Sequence, residues 1–237
     1  MLRLLEAAAL FALLPLASGA AAQTASCVVP DQIPAPETPR QADQSRIIAP
    51  VTGYLLALSW SPEFCRTHTE SKRHRLQCSG EMGRFGFILH GLWPDAAGRR
   101  DPRWCRPVPL PDPATIRANL CVTPSADLLA HEWAKHGSCR FSDAPRYFRA
   151  ASVMFNAVRF PDMDRLSRRN PTAGDIRRAF AARNPGLPES SVAVVANRRQ
   201  WFQEVRLCLG ENFRPRPCPV EDGGVADKVP VSIWRGQ

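Results

Sequence analysis

The sequence predicts an α+β fold: a single domain with a central, mainly antiparallel sheet, flanked by helices and stabilised by disulfides. Three observations lead there. Apolar strand runs and amphipathic helical stretches are interspersed, without the regular strand–helix–strand spacing of a parallel sheet. The chain has 237 residues, and an export leader of 22 would leave about 215, enough for one core without requiring two. All eight cysteines follow that leader, and an even count in an exported chain points to disulfides formed in an oxidising compartment.

The elements follow in chain order. Arg3 precedes an uncharged run from Ala7 to Ala22, short for a membrane span, which ends in the small residues Ala20-Ala21-Ala22. This predicts a signal peptide over 1–22, cut before Gln23. The alternative of a lipid on Cys27 is poorly served by the preceding Thr24-Ala25-Ser26. Residues 23–50, rich in Pro, Gln and Asp, read as an extended arm, and 51–237 as the folded domain. Tyr54 to Trp60 reads as a buried strand and the charged stretch 66–84 as a loop. Phe85 to His90 reads as a second strand, stopped by Gly91 and Pro94, with 95–115 an irregular excursion. A helix is expected over 124–136, capped by Thr123, with Pro124 in its first turn and Gly137 at its end. Two more helices are expected over 145–158 and 173–183. The strands 191–196 and 201–209 are joined by the turn-like Asn197-Arg198-Arg199-Gln200.

Composition narrows the function. The formal charge is +9 and 44% of residues are apolar, which excludes a disordered or collagen-like chain and favours an anionic partner. Removing the leader removes Arg3 and Glu6 and leaves the charge unchanged. Only Lys72, Lys135 and Lys228 are lysines, so arginine supplies nearly all of the 31 basic residues. A solvated basic surface is the plain alternative.

Two segments concentrate the chemistry. Phe87 to Asp95 places His90 at a strand end, before Gly91, Trp93 and Pro94; by itself this also fits a core histidine beside a packing tryptophan. His131-Glu132-Trp133-Ala134-Lys135-His136-Gly137 is helical in pattern. At about 100° per residue, His131, Lys135, Glu132 and His136 fall within about 140° of one another, while Leu129, Ala130 and Trp133 lie opposite. A zinc-protease helix would need its second His at the fourth position, which is Lys135 here, and the ammonium would repel the metal. No CxxC pair offers a metal site either. Two histidines with Glu and Lys, and no metal, suit phosphodiester transfer within RNA. One His takes the 2′-OH proton, the other gives a proton to the leaving 5′-oxygen, and cations offset the charge on the phosphorane.

His90-Gly-Leu-Trp-Pro94 and His131-Glu-Trp-Ala-Lys-His-Gly137 resemble the two catalytic signatures of the ribonuclease T2 family, exported ribonucleases that include bacterial ribonuclease I-like enzymes. Weaker likeness covers most of the chain, including Leu58 to Cys65 and Glu204 to Cys208. The resemblance implies that His136 is the general base and His90 the general acid, that Glu132 and Lys135 stabilise the transition state, and that His131 holds the phosphate. It puts Trp93 and Asp95 where a base is contacted by stacking and hydrogen bonding; plain packing is the alternative for Trp93. His68 and His74 match no catalytic position and read as surface residues. It further implies single-stranded RNA as the substrate, no metal or other cofactor, a monomer, and a periplasmic or secreted location. For the cysteines it suggests Cys65–Cys78, Cys105–Cys139 and Cys208–Cys218, which leaves Cys27 with Cys121, or Cys27 free or modified. A non-catalytic basic RNA- or partner-binding protein on the same scaffold is the competing reading.

Overall fold

The computed structural model describes residues 27–39, 45–96, 100–219, 222 and 224–236; the expected leader lies outside them. Four strands form one antiparallel sheet: β1 (Gly53–Trp60), β2 (Phe87–Asp95), β3 (Val192–Ala196) and β4 (Phe202–Gly210), in the order β2-β1-β4-β3. Helices α1 (Ser61–Cys65) and α2 (Arg75–Cys78) follow β1. Helices α3 (Pro113–Asn119), α4 (Ala126–Lys135), α5 (Ala144–Ala157), α6 (Met163–Ser167) and α7 (Ala173–Arg183) lie between β2 and β3.

Alternation along the strands gives the sheet two different faces. Leu56, Leu58 and Trp60 of β1 share a face with Leu207 and Val205 of β4, and pack with Tyr147, Phe155 and Phe180 from α5 and α7 in one buried cluster. The other face carries Ser59, Glu204, Arg206 and Trp93. Because one face is the core, register is strongly specified: a one-residue slip would bury these polar groups.

That register is broken once between β1 and β2. Ala57 faces Gly91 and Leu58 faces Leu89, so His90 is the extra residue of a β-bulge. Strict alternation from Leu92 would turn His90 into the core, and the bulge turns it out. The strand therefore does not stop at His90 as its glycine and proline suggest. It runs on to Asp95 because β2 is an edge strand, where half of the N–H groups need no ladder partner and a proline is tolerated. Residues 122–123 brace the edge at the bulge. Leu89 N–H donates to the Val122 carbonyl at 2.8 Å, and Thr123 Oγ1 donates to the Leu89 carbonyl at 2.7 Å.

Thr123 is thus occupied, and the cap of α4 is Ser125, whose side chain accepts from Leu128 N–H. The helix accordingly begins two residues later than expected, at Ala126, and ends at Lys135 with His136 as its C-cap. Further departures are short. The charged loop holds a 3₁₀ turn at Lys72–His74 and α2, while α3 and α6 begin at N-caps Asp112 and Asp162. Each of these helices has seven residues or fewer, too short to leave a readable period.

Disulfides join Cys27–Cys121, Cys65–Cys78, Cys105–Cys139 and Cys208–Cys218. The first ties the N-terminal segment to the end of α3, and the third ties the loop after β2 to the turn after α4. Each restricts the unfolded chain, by roughly 2–4 kcal/mol.

Candidate active site

The site forms where α4 packs across β2, and Trp93 is its centre. Its indole Nε1 donates to Glu132 Oε2 at 2.7 Å. The His136 ring lies nearly parallel to the indole, with centroids 5.3 Å apart, and the His90 ring meets it edge-on at 5.0 Å. The Arg206 guanidinium sits 4.9 Å from the same ring. So the histidines of two distant segments touch one aromatic side chain. Gly91 makes the close approach possible: a Cβ there would run into Glu132 Oε2 and come within 2.6 Å of Trp93 Nε1. Gly137 does the same behind the helix, where a Cβ would lie 2.8 Å from the Tyr147 ring.

His90 is held through its Nδ1, which donates to Glu204 Oε2 at 2.7 Å. Ser59 Oγ donates to the same oxygen at 2.8 Å, and Arg206 Nε donates to the other at 2.8 Å. That leaves Nε2 free to face the site, 3.7 Å from Glu132 Oε1. Burial opposes charge on this ring, but the hydrogen bond to Glu204 and the charges of Glu132 and Glu204 outweigh it, and its pKa is raised. Burial likewise works against the Glu204 charge, yet His90 and Arg206 hold its pKa down at about 2. Glu204, hydrogen-bonded to Nδ1, is thus the larger of two carboxylate influences that favour the charged form of His90, Glu132 being the other. Replacing Glu204 by glutamine is expected to drop the His90 pKa below the ordinary 6.5, since the burial penalty would stay. An NMR titration of the imidazole carbon signals reads this directly; an unmoved midpoint would deny Glu204 that role.

The α4 groups behave differently. Glu132 is 2% exposed, and burial pushes its pKa up to about 7 despite His90 and Trp93. His136 is displaced well downward, by burial and then by Lys135, His131 and His90. Its Nδ1 is buried with no hydrogen-bond partner among the described residues. His131 falls to about 4 through burial and the neighbouring Lys135, and its ring meets Trp104 edge-on at 5.4 Å. Lys135 is lowered by burial, with Glu132 pulling the other way. Of the three histidines of the cluster, His90 is displaced towards its charged form, and the two on the helix are displaced towards the neutral one.

The structure brings His90, Trp93, Glu132 and His136 together, with His131 and Lys135 beside Glu132 and His136 along α4. It does not bring Asp95 to them. Asp95 is 3% exposed and forms an ion pair with Arg216, beside the Thr52 N–H that bonds its carbonyl. A carboxylate neutralised in this way is a structural tie between β2 and the loop after β4, not a free acceptor. Reading the sequence missed Glu204, Ser59 and Arg206 as site residues. All three lie in the stretches of weaker family likeness, Leu58 to Cys65 and Glu204 to Cys208, but an acid and a base at alternate positions of a strand, Glu204 and Arg206, do not by themselves point to a site. Among the described residues no group of three or more His, Cys, Asp or Glu is arranged to hold a metal ion, and no helix is long and apolar enough to cross a membrane.

Known proteins can be set beside this geometry. Residues 51–218 match the model of the Ribonuclease T2 family. A probable ribonuclease of Haemophilus influenzae is 40% identical over 131 residues, which cover 51% of this chain and 47% of that protein. A ribonuclease of Aeromonas hydrophila is 32% identical over 166 residues, 67% of this chain and 71% of the relative. The chain thus spans about half the length of the first of these and most of the second. Among solved structures, trichomaglin, described as an S-like ribonuclease, superposes with a TM-score of 0.60 at 20% identity, over 77% of this chain and 98% of its own. At that identity the likeness concerns the fold.

Proposed function

The chain belongs to the ribonuclease T2 family, and from that membership we propose that it is an exported, metal-independent RNA endonuclease working by transphosphorylation and then hydrolysis. One observation carries the proposal: His90 and His136 contact the same indole and are displaced in opposite directions, one towards the charged form and the other towards the neutral. That is the pair of protonation states the reaction needs at neutral pH.

In the first step neutral His136 takes the proton of the ribose 2′-OH. Its Nδ1 is buried, so Nε2 is the nitrogen left to receive it. The 2′-oxygen bonds to phosphorus, the P–O5′ bond breaks, and His90 gives its Nε2 proton to O5′. The products are a 2′,3′-cyclic phosphate and a 5′-hydroxyl. Water then opens the ring to a 3′-phosphate with the two histidines in exchanged roles. Lys135 offsets charge on the phosphorane. His131, neutral when the site is empty, binds the phosphate through a ring N–H. Glu132, with a pKa near neutrality, keeps His90 aimed and charged. DNA has no 2′-OH and is bound without reacting this way.

Residues 51–237 are then the catalytic domain, 23–50 an extended arm, and 1–22 a leader removed on export of a monomeric enzyme. Four disulfides support an oxidising, periplasmic or secreted setting. The test is digestion of RNA in EDTA by the purified oxidised protein, with analysis of the ends. We expect 2′,3′-cyclic phosphates first and 3′-phosphates later. Cleavage only after a divalent ion is restored would overturn the mechanism, and tight RNA binding without cleavage would make the protein a binder on this scaffold.

A further inference from the structure

A cleft of about 650 Å³ begins at His90, Glu204 and Arg206 and leads away from α4, which contributes none of its lining. One wall is α1 with Phe64 and Arg66, and the other is the turn between β3 and β4. Asn197 Nδ2 donates to Glu63 Oε1 at 3.1 Å and closes the floor between them. The cleft is preformed. Asn197 Oδ1 accepts from Arg199 N–H at 2.9 Å and Trp201 N–H at 3.1 Å, and Gln200 takes a left-handed φ of 61° to complete the turn. Arg66 is held 4.4 Å over the Trp201 ring and 3.3 Å from Glu63.

The charge of this cleft is unbalanced. Its lining holds Arg66, Arg198, Arg199 and Arg206 against Glu63 and Glu204, and both glutamates are already paired. Arg198 and Arg199 are exposed, and their side chains make no ion pair or hydrogen bond among the described residues. The same lining carries aromatic rings, Phe64 stacked on His68 with centroids 4.2 Å apart and planes 5° from parallel. Arginines interleaved with stacked rings are what a single strand needs: cations for its phosphates and π-faces for its bases.

We propose that this cleft binds the RNA on the 3′ side of the scissile bond, several nucleotides beyond the reacting pair. The proposal rests on the reading of the protein as an RNA endonuclease with His90 as the acid. The oxygen that leaves belongs to the downstream nucleotide and takes its proton from His90, and His90 lines the cleft. The strand continuing from that oxygen is thereby directed towards Arg206, then Arg66, Arg198 and Arg199. His136, on the upstream side, lines no part of it.

The test uses oligonucleotides of 2′-O-methyl RNA with one ribose at the cleavage position, extended by five nucleotides either downstream or upstream. Downstream extension is expected to raise kcat/KM about tenfold over the dinucleotide, and upstream extension to do little. Arg198→Ala/Arg199→Ala should abolish the downstream gain and leave dinucleotide cleavage unchanged. The control Arg146→Ala/Arg149→Ala, on α5, removes the same charge elsewhere and should keep the gain. A gain that survives in the turn variant, or that comes from upstream nucleotides, would overturn the proposal. If no oligonucleotide is cleaved, it is the endonuclease reading that fails. The cleft is then judged by fluorescence anisotropy on the downstream-extended strand, where equal Kd values for wild type and turn variant would overturn it too.

Discussion

Alanine in place of His136 is expected to lower kcat on RNA by about 10²–10⁴-fold while leaving RNA affinity within a few-fold of wild type. The ring contributes little to holding the strand, since it is 8% exposed and one nitrogen is buried without a partner. What the substitution removes is the proton acceptor. The pH profile gives a sharper readout. Turnover requires neutral His136 and protonated His90, so kcat should rise as pH climbs through the lowered pKa of His136. It should fall as pH passes the raised pKa of His90. The plateau therefore brackets the ordinary histidine value of about 6.5. Steady-state kinetics on a defined oligonucleotide should show the acid limb vanish in His136→Ala and the alkaline limb in His90→Ala. Loss of the alkaline limb in both, or in neither, would reverse or refute the assignment of base and acid.

The second large effect separates stability from activity. Glu132 has a folded pKa of about 7, against an ordinary 4.5, because burial penalises its charge. A carboxyl whose pKa is raised by folding favours the folded state while it is protonated. The contribution of Glu132 to stability is thus greatest below pH 4.5 and declines as pH rises from there to about 7. The full penalty above pH 7 is about 3 kcal/mol at 1.36 kcal/mol per pKa unit. Glutamine keeps an acceptor for Trp93 Nε1 and carries no charge. Glu132→Gln should stabilise the protein at pH 8 by roughly 2 kcal/mol, less than the full penalty because His90 loses an attractive neighbour. The Tm should rise by about 4–8 °C. Activity should fall at least about tenfold, because His90 is no longer aimed or charged from that side. Thermal melts at pH 5 and pH 8 decide it: a gain at pH 8 that disappears at pH 5 is expected, and no gain at either would mean that Glu132 ionises in the fold without cost.

These expectations draw on groups of very different visibility. His90 and His136 stand in compact motifs, and the period of α4 puts His131, Glu132, Lys135 and His136 on one side. Their environment was not visible. The side of α4 that looks polar in sequence is packed under β2, so that Glu132 and His136 are buried. Glu204, which sets the charge of His90, lies 114 residues away and belongs to an ordinary alternating strand. Asp95 follows the first motif directly, yet a partner 121 residues later takes its charge out of play.

What the sequence determined alone is what short-range physics encodes: the apolar runs that become β1 and β4, the amphipathic stretches of α4, α5 and α7, and the residue types that can carry protons. Eight cysteines, taken by spacing, leave 105 pairings open, and family likeness rather than local pattern suggested the pairs. Tertiary structure decided where the groups point and how they titrate. A single extra residue in β2 turns His90 out of the core, and no periodicity in β2 encodes it, because a bulge exists only relative to the partner strand. The opposite displacements of His90 and His136 likewise arise from burial and from charges brought close across the fold. Both depend on distances in space that separation along the chain does not set.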